Sequence, residues 1–173
     1  MAKDENRKEL AHPEYWNQRY ASAEKESKDG SAAMASFEWL RTFANLRPFF
    51  EKYLPAASIG YHILHLGCGN STLTADLYAL GYTNQTSVDF SQVVIDAMIM
   101  KHSNLNTCWL VMDVRDLQLP DASIDVAIDK GTLDAMIHGS LWDPPDDVKD
   151  NVGKYANEVA RVLKPGGQWF SIT

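Results

Sequence analysis

The sequence predicts an α/β fold in which helices cover both faces of a mostly parallel β-sheet. From Tyr61 onward, short apolar runs alternate with segments of helical periodicity, and this alternation is typical of βαβ units. The first apolar run, at 63–66, continues directly into a glycine turn that opens the next helical segment. The first strand of an open parallel sheet commonly ends in such a turn, so both observations indicate the same fold class.

The apolar runs and the periodic segments between them predict the order of the elements. Strands are expected at 61–66, 85–88, 107–112, 124–128 and 169–173. The intervening helices are expected at 72–80, 91–101, 133–138 and 146–163. Pro165 and the two glycines after it are expected to form the turn between the last helix and the last strand.

The N-terminal part differs from the rest in composition. Helices are expected at 13–20, where a proline favours a helix start, and at 37–53, which carries an apolar stripe at helical spacing. The stretch 23–35 is polar or small and is expected to be a mobile loop. We therefore expect an N-terminal helix and flexible loop at 1–35 and a single sheet-containing domain at 36–173.

Composition narrows the class of partner. The chain has 173 residues, 45% of them apolar, which suits one globular domain. Its formal charge of -7, from 16 basic and 23 acidic residues, argues against a nucleic-acid ligand, because nucleic-acid-binding proteins normally present a basic face. A basic protein or a cationic small molecule is the partner that this charge favours, and no oligomeric state is indicated.

The sequence gives little indication of a targeting segment or a metal site. The charged N-terminus and the lack of an 18-residue apolar run give no support for secretion or membrane spanning. The two cysteines, Cys68 and Cys108, lie in different segments, and the five histidines are scattered. We therefore expect neither a disulfide framework nor a metal site, and a cytoplasmic location.

Gly67, Gly69 and Asp89 form the sharpest constellation. The glycines allow a tight turn and a close approach of backbone to a ligand, although such a turn can also be purely structural. Asp89 ends the second strand twenty residues after Gly69, where an acidic side chain meets a ribose hydroxyl pair. The alternative, that Asp89 only caps the following helix, is weaker because Ser91 is placed to do so.

The third and fourth predicted strands also end in polar residues. After the third strand, Asp113 can accept a hydrogen bond from an adenine amino group, with Val114 beside it, although alone it would pass for a solvated loop residue. After the fourth, Asp129, Lys130 and Asp134 reach the same sheet edge, where open α/β sheets bind ligands. A charged loop that caps the next helix is the alternative for this segment.

The N-terminal aromatic residues admit two interpretations. Trp16 and Tyr20 are four residues apart and share one helix face, and Trp39 lies in the second amphipathic segment. Such residues most often pack in a core. They could instead cover a cationic ligand, because aromatic faces attract cations at close range.

Taken together, these segments resemble a known family. The matching stretches are HPEYWNQRY at 12–20, FEW at 37–39, LGCGNS at 66–71, SVDFS at 87–91, MDVR at 112–115, DKGTLDA at 129–135 and RVLKPGG at 161–167. The chain resembles the methyltransferase-like family that includes the elongation factor 1-alpha lysine methyltransferases. The resemblance extends from about residue 12 to the end.

The resemblance implies a Rossmann-like class I methyltransferase fold that binds S-adenosylmethionine and releases S-adenosylhomocysteine. It implies that one set of residues holds the cofactor: Trp16, Tyr20, Trp39, Gly67, Gly69, Asp89, Phe90, Asp113, Val114 and Lys130. It also implies an activity-essential motif at 129–134, with Asp129, Lys130 and Asp134 as the catalytic candidates. The expected activity is protein-lysine methylation, with elongation factor 1-alpha as the expected partner.

Two departures from the general class I pattern leave alternatives open. His65 stands where the end of the first strand is often acidic, and Ser71 replaces a third glycine. Class I methyltransferases usually continue past the fifth strand, so strands six and seven are expected to be missing from this sequence. A small-molecule methyltransferase and a cofactor-binding module without catalysis are therefore retained. A nicotinamide dehydrogenase is disfavoured because Ser71 and Thr72 stand where its glycine motifs require glycine.

Overall fold

The computed structural model describes residues 7–28 and 36–173. Within them a parallel sheet is formed by β1 (Ile63–Leu66), β2 (Gln85–Asp89), β3 (Cys108–Val111), β4 (Ile124–Lys130) and β5 (Leu163–Ile172). The strand order across the sheet is β3-β2-β1-β4-β5. The predicted α/β class with a parallel sheet is confirmed.

Helices connect the strands and cover the sheet. They are α1 (Pro13–Lys28), α2 (Phe43–Tyr53), α3 (Leu73–Ala79), α4 (Gln92–Lys101), α5 (Thr132–Met136) and α6 (Asp146–Val162). Short 3-10 turns lie at Glu9–Ala11 and Ala57–Ile59. In the described ranges, no helix is both long enough and apolar enough to cross a membrane.

The strand order reverses at β1, which pairs with β2 on one side and with β4 on the other. Leu66, the last residue of β1, is in register with Val88 of β2 and with Asp129 of β4. All three strands therefore deliver their carboxyl ends to one edge. This is the crevice where open α/β sheets bind ligands.

Side chains alternate across the sheet, so successive strand residues enter different cores. Leu64 and Leu66 of β1 belong to a buried cluster with Tyr155 and Val159 of α6. Ile63 belongs to a second cluster, which joins β4 to α2 and α3. Both faces of the sheet are covered, and β1 and β4 are mainly apolar, as buried parallel strands usually are, whereas β2 buries a largely polar sequence, QTSVD.

Two N-terminal predictions were wrong in their boundaries. Helix α1 runs to Lys28, whereas the sequence predicted an end at residue 20 and a loop from residue 23. The remainder of that predicted loop, 29–35, lies outside the described residues. Helix α2 begins at Phe43 and not at Phe37. The preceding segment is not helical because the Phe37 N–H donates to Asn70 Oδ1 (2.9 Å) and Leu40 has a φ of 64°.

The last strand is longer than predicted. Strand β5 begins at Leu163, immediately after α6, where the sequence predicted a turn and a strand start at residue 169. Leu163 pairs with Ile124, and Gln168 pairs with Val126, so the intervening residues bulge out of the strand. Gly166 has a φ of 82°, which glycine tolerates best. The predicted turn residues therefore form an irregularity inside the strand pairing.

Candidate functional site

A cleft lies at the carboxyl edge of β1, β2 and β4, and it holds about 850 Å³ of space when the open solvent at its mouth is included. Nine of the residues singled out from the sequence line it: Trp16, Tyr20, Trp39, Gly67, Gly69, Asp89, Phe90, Val114 and Lys130. The three remaining carboxylates, Asp113, Asp129 and Asp134, are not among its lining residues. The structure thus brings most of the predicted site together and sets those carboxylates apart.

The glycine turn forms the floor of the cleft. Gly67 and Gly69 have φ values of 63° and 51°, which side-chain-bearing residues rarely adopt. A Cβ on Gly67 would overlap the side chain of Thr132, whose hydroxyl donates to the carbonyl of Leu66 at 2.8 Å. A Cβ on Gly69 would lie 2.8 Å from the hydroxyl of Tyr20. Glycine is therefore required by backbone geometry and by close neighbours.

Asp89 faces this turn from the end of β2. One carboxylate oxygen accepts a hydrogen bond from the Gly69 N–H at 2.9 Å, and the other accepts from the Ser91 N–H at 3.0 Å. Burial raises the pKa of Asp89 to about 6, and the two N–H donors oppose that rise. Ser91 is the residue that caps α4, with its hydroxyl accepting from the Val94 N–H. Asp89 is thus a buried carboxylate at the cleft.

Four aromatic residues cover one side of the cleft, and we call them the aromatic wall: Trp16, Tyr20, Phe37 and Trp39. Their rings contact one another in a chain, with centroid separations between 5.8 and 6.3 Å. Trp16 also donates its indole N–H to the carbonyl of Leu10 at 2.8 Å. Trp16 and Tyr20 come from α1, whereas Phe37 and Trp39 come from the irregular segment before α2.

Glu38 was missed by the sequence analysis. Its carboxylate accepts hydrogen bonds from the Thr72 N–H at 2.7 Å and the Ser71 hydroxyl at 3.0 Å, at the start of α3. Lys130 Nζ lies 3.3 Å from the same carboxylate and donates to the Trp39 carbonyl at 3.2 Å. Burial raises the pKa of Glu38, but its hydrogen bonds and the Lys130 charge leave that pKa below the ordinary value. Lys130 therefore joins the end of β4 to the aromatic wall.

Asp129 is fully buried behind the cleft. Its carboxylate accepts from the backbone N–H of Thr132 (2.8 Å) and of Leu133 (3.1 Å) and from the hydroxyl of Tyr155 (2.9 Å). Burial raises the pKa of Asp129 to about 6, although these hydrogen bonds act to lower it. Asp134, one turn further on, is exposed. Asp129 thus holds the first turn of α5.

Asp113 lies beside the cleft and is engaged by its neighbour. Arg115 donates hydrogen bonds to both Asp113 oxygens, the shortest at 2.7 Å. It also donates to Asn151 Oδ1 at 2.9 Å. Burial raises the pKa of Asp113, but the Arg115 hydrogen bonds and charge outweigh it and lower that pKa below the ordinary value. Val114 is buried and lines the cleft, whereas Asp113 does not line it.

His65 also lines the cleft, at the position noted as a departure from the class I pattern. Its Nε2 lies 2.6 Å from Gln85 Oε1, and burial lowers the pKa of His65 to about 4. The ring is therefore neutral near pH 7. Among the described residues, no group of three or more His, Cys, Asp or Glu side chains could hold a metal ion.

The glycine turn, the buried Asp89 carboxylate and the reversal of strand order at β1 are the features of a Rossmann-like α/β domain of the nucleoside-binding type. Comparison with known proteins specifies which one. A family model described as Methyltransferase domain matches residues 64–171, and the chain belongs to this methyltransferase family. The family and the fold imply S-adenosylmethionine as the cofactor.

Curated relatives carry more specific names. The chain is 39% identical to EEF1A lysine methyltransferase 4 of Mus musculus over 163 residues, which are 92% of this chain and 60% of the relative. It is 33% identical to eEF1A lysine and N-terminal methyltransferase of Homo sapiens over 170 residues, 96% of this chain and 22% of the relative. The chain therefore spans at most about 60% of the length of these relatives.

Solved structures agree with the fold. A SAM-dependent methyltransferase from Methanosarcina mazei superimposes with a TM-score of 0.55 at 26% identity, covering 69% of this chain and 54% of that protein. The resemblance to class I methyltransferases stated from the motifs is confirmed by the family match and by this structural similarity. The roles of individual site residues remain predictions.

Proposed function

We propose that this chain is an S-adenosylmethionine-dependent protein-lysine N-methyltransferase that acts on a translation elongation factor, elongation factor 1-alpha, in the cytoplasm. The main support for cofactor binding is the buried Asp89 carboxylate, which faces the glycine turn at the carboxyl edge of the sheet. The name of the Mus musculus relative, 39% identical over 92% of this chain, supports the acceptor. The acidic net charge of -7 also favours a basic protein acceptor.

The cleft residues fit the cofactor by their chemistry. Asp89 is a buried acceptor for ribose hydroxyls, and its position at the carboxyl end of β2 is the one that such a contact requires. Phe90 extends this contact, and Val114 supplies an apolar wall for the adenine ring. We place Asp113 outside direct contact, because it does not line the cleft and its carboxylate is held by Arg115.

The remaining cofactor contacts come from backbone and aromatic groups. Gly67 and Gly69 let the backbone approach closely, because neither position has room for a Cβ. The aromatic wall offers ring faces, which attract a cationic sulfonium. Lys130 orients the wall through the Trp39 carbonyl. When bound, S-adenosylmethionine supplies an electrophilic methyl group.

The residues of this chain position the acceptor lysine and remove its amine from water. An apolar cleft lowers the pKa of an entering lysine amine, which must be neutral to accept a methyl group. We assign Asp129 a positioning role, because three donors already occupy its carboxylate. Asp134 is exposed and acidic, so it can attract a positively charged acceptor segment. No residue is assigned as a general base.

The proposal is tested by incubating the purified chain with methyl-tritiated S-adenosylmethionine and purified elongation factor 1-alpha. We expect label in the elongation factor, at lysine residues identified by mass spectrometry, and less label with the Asp89→Ala variant at a cofactor concentration that does not saturate it. A parallel incubation uses a cell extract as the source of acceptors. Label found only in the small-molecule fraction of that extract would indicate a small-molecule methyltransferase instead. Cofactor binding without transfer to either acceptor would replace it with a binding module.

A further inference from the structure

We propose that Arg19 is a positioning residue of the cleft, because its guanidinium joins the rings of two separate chain segments into one wall. The inference rests on the proposed function in one respect only, namely that the cleft is the cofactor site. Arg19 belongs to none of the motif roles assigned above, and it is not among the residues that line the cleft.

The geometry of Arg19 is that of a shared cation. Its Cζ atom lies 5.9 Å from the ring centroid of Trp16, 4.8 Å from that of Phe37 and 5.1 Å from that of Trp39. Trp16 belongs to α1, whereas the other two rings belong to the segment before α2. All three distances fall within the range of cation–π attraction, so one side chain holds both segments.

The polar contacts of Arg19 indicate that the rings are its main partners. Its Nε atom is buried without a hydrogen-bond partner among the described residues. Its Nη1 atom donates to the Tyr15 hydroxyl at 3.2 Å, near the upper limit of a hydrogen bond. A partly buried guanidinium whose Nε atom has lost its hydration needs a compensating interaction, and the ring faces provide it.

Loss of this cation should change the wall without removing a core side chain. Arg19 contacts the rings and does not line the cleft, so it acts on the cofactor through Trp16, Phe37 and Trp39. Tyr20, the fourth ring, lies in a buried cluster with α4, and Trp16 and Phe37 pack against that cluster, so the rings keep a core anchor when the cation is removed. We therefore expect the effect of Arg19 to fall on cofactor affinity and on tryptophan fluorescence more than on global stability.

The experiment compares Arg19→Met, which keeps an apolar stem, with Arg19→Lys, which keeps the charge. S-adenosylhomocysteine binding is measured by calorimetry, tryptophan emission by fluorescence, and stability by thermal unfolding. Arg19→Met should weaken binding by about 10-fold and shift the tryptophan emission, and Arg19→Lys should restore most of both. Arg47→Met is the control, because Arg47 pairs with Glu51 on the exposed face of α2.

Three results would overturn the assignment: unchanged binding and emission in Arg19→Met, equal losses in the lysine and methionine variants, or an equal loss in the control. Should Arg19→Met fail to fold, the folded Arg19→Lys variant compared with Arg19→Gln decides the role of the charge by the same readouts. Wild-type protein that does not bind S-adenosylhomocysteine would contradict the proposed function instead. The emission comparison would still decide whether Arg19 organises the rings.

Discussion

Tyr155 of α6 donates its hydroxyl hydrogen to Asp129 at the end of β4, with an oxygen–oxygen distance of 2.9 Å, and both residues are fully buried. The same carboxylate accepts two backbone N–H groups from the first turn of α5. Helix α6 is thereby tied to the turn that presents Lys130 and Thr132 to the cleft. A long helix that packs on one face of the sheet thus supports the geometry of the site.

Removal of the Tyr155 hydroxyl should therefore destabilise the fold. Tyr155→Phe leaves the buried Asp129 carboxylate with one donor fewer, and we expect a loss of roughly 1 to 3 kcal/mol in the free energy of unfolding. Urea unfolding measures it. Tyr61→Phe is the matched control, since Tyr61 is exposed. Equal unfolding free energies for the two variants would contradict the role of this hydrogen bond.

Replacement of Asp89 should weaken cofactor binding. The Asp89 carboxylate is the buried acceptor at the carboxyl end of β2. We expect Asp89→Ala to reduce S-adenosylhomocysteine affinity by on the order of 1 to 3 kcal/mol, the cost of lost hydrogen bonds to a charged group. Isothermal titration calorimetry measures this change. Asp96→Ala on α4 should bind like the wild type, and unchanged affinity in the Asp89 variant would discredit the ribose assignment.

Stability should depend on pH through Asp89. Burial raises the pKa of Asp89 to about 6 in the folded state, above the ordinary value of 3.8. The protonated group therefore stabilises the fold below about pH 4, and this contribution is lost as pH rises through about 6. We expect the unfolding free energy of the wild type, relative to Asp89→Asn, to fall by on the order of 2 to 3 kcal/mol between these limits. A pH-independent difference would contradict the raised pKa.

The glycine turn should tolerate no side chain. Gly67→Ala places a Cβ against Thr132 at a φ of 63°, whereas Gly60 has a similar φ of 74° and no atom within 4 Å of the position that a Cβ would take. The Gly60→Ala variant therefore isolates backbone strain, which costs about 1 to 2 kcal/mol. Gly67→Ala should lose more stability than Gly60→Ala in thermal unfolding. Equal losses would contradict this prediction and would show that the Thr132 side chain moves aside with no loss of stability.

Lys130 should be required for turnover. Its ammonium group lies between the Glu38 carboxylate and the Trp39 carbonyl, and its side chain is 6% exposed. Lys130→Met should lower methyl transfer at least about 10-fold, because the aromatic wall loses its tie to β4 and Glu38 loses its charge partner. Initial rates of transfer measure the loss, with exposed Lys101→Met on α4 as the control. Wild-type rates would remove Lys130 from the mechanism.

The sheet and the floor of the cleft could be predicted from local sequence. Apolar runs bounded by turn residues locate β1, β3 and β4 within a few residues, because strands that pack in a core carry apolar side chains, whereas β2 is largely polar. The glycine turn and Asp89 were found for the same reason, since their spacing follows from one strand–helix–strand unit. The role of Asp113 as a cofactor contact stays a prediction, and its contact with Arg115 joins residues only two positions apart.

Contacts distant in sequence could not be predicted. Glu38 meets Thr72 across 34 positions, and Tyr155 meets Asp129 across 26. No local periodicity encodes either pairing. The segment before α2 was misassigned because Phe37 continues the helical spacing of apolar residues, although its side chain packs in the aromatic wall. Apolar spacing shows that a residue is buried, but it does not show against which partner.

A crystal structure of the wild-type chain with S-adenosylhomocysteine tests the central claim most directly. We expect the nucleoside in the cleft, with its ribose hydroxyls within hydrogen-bond distance of the Asp89 carboxylate and its adenine against Val114. Density for the nucleoside at any other edge of the sheet, or a ribose that leaves Asp89 without contact, would contradict the account.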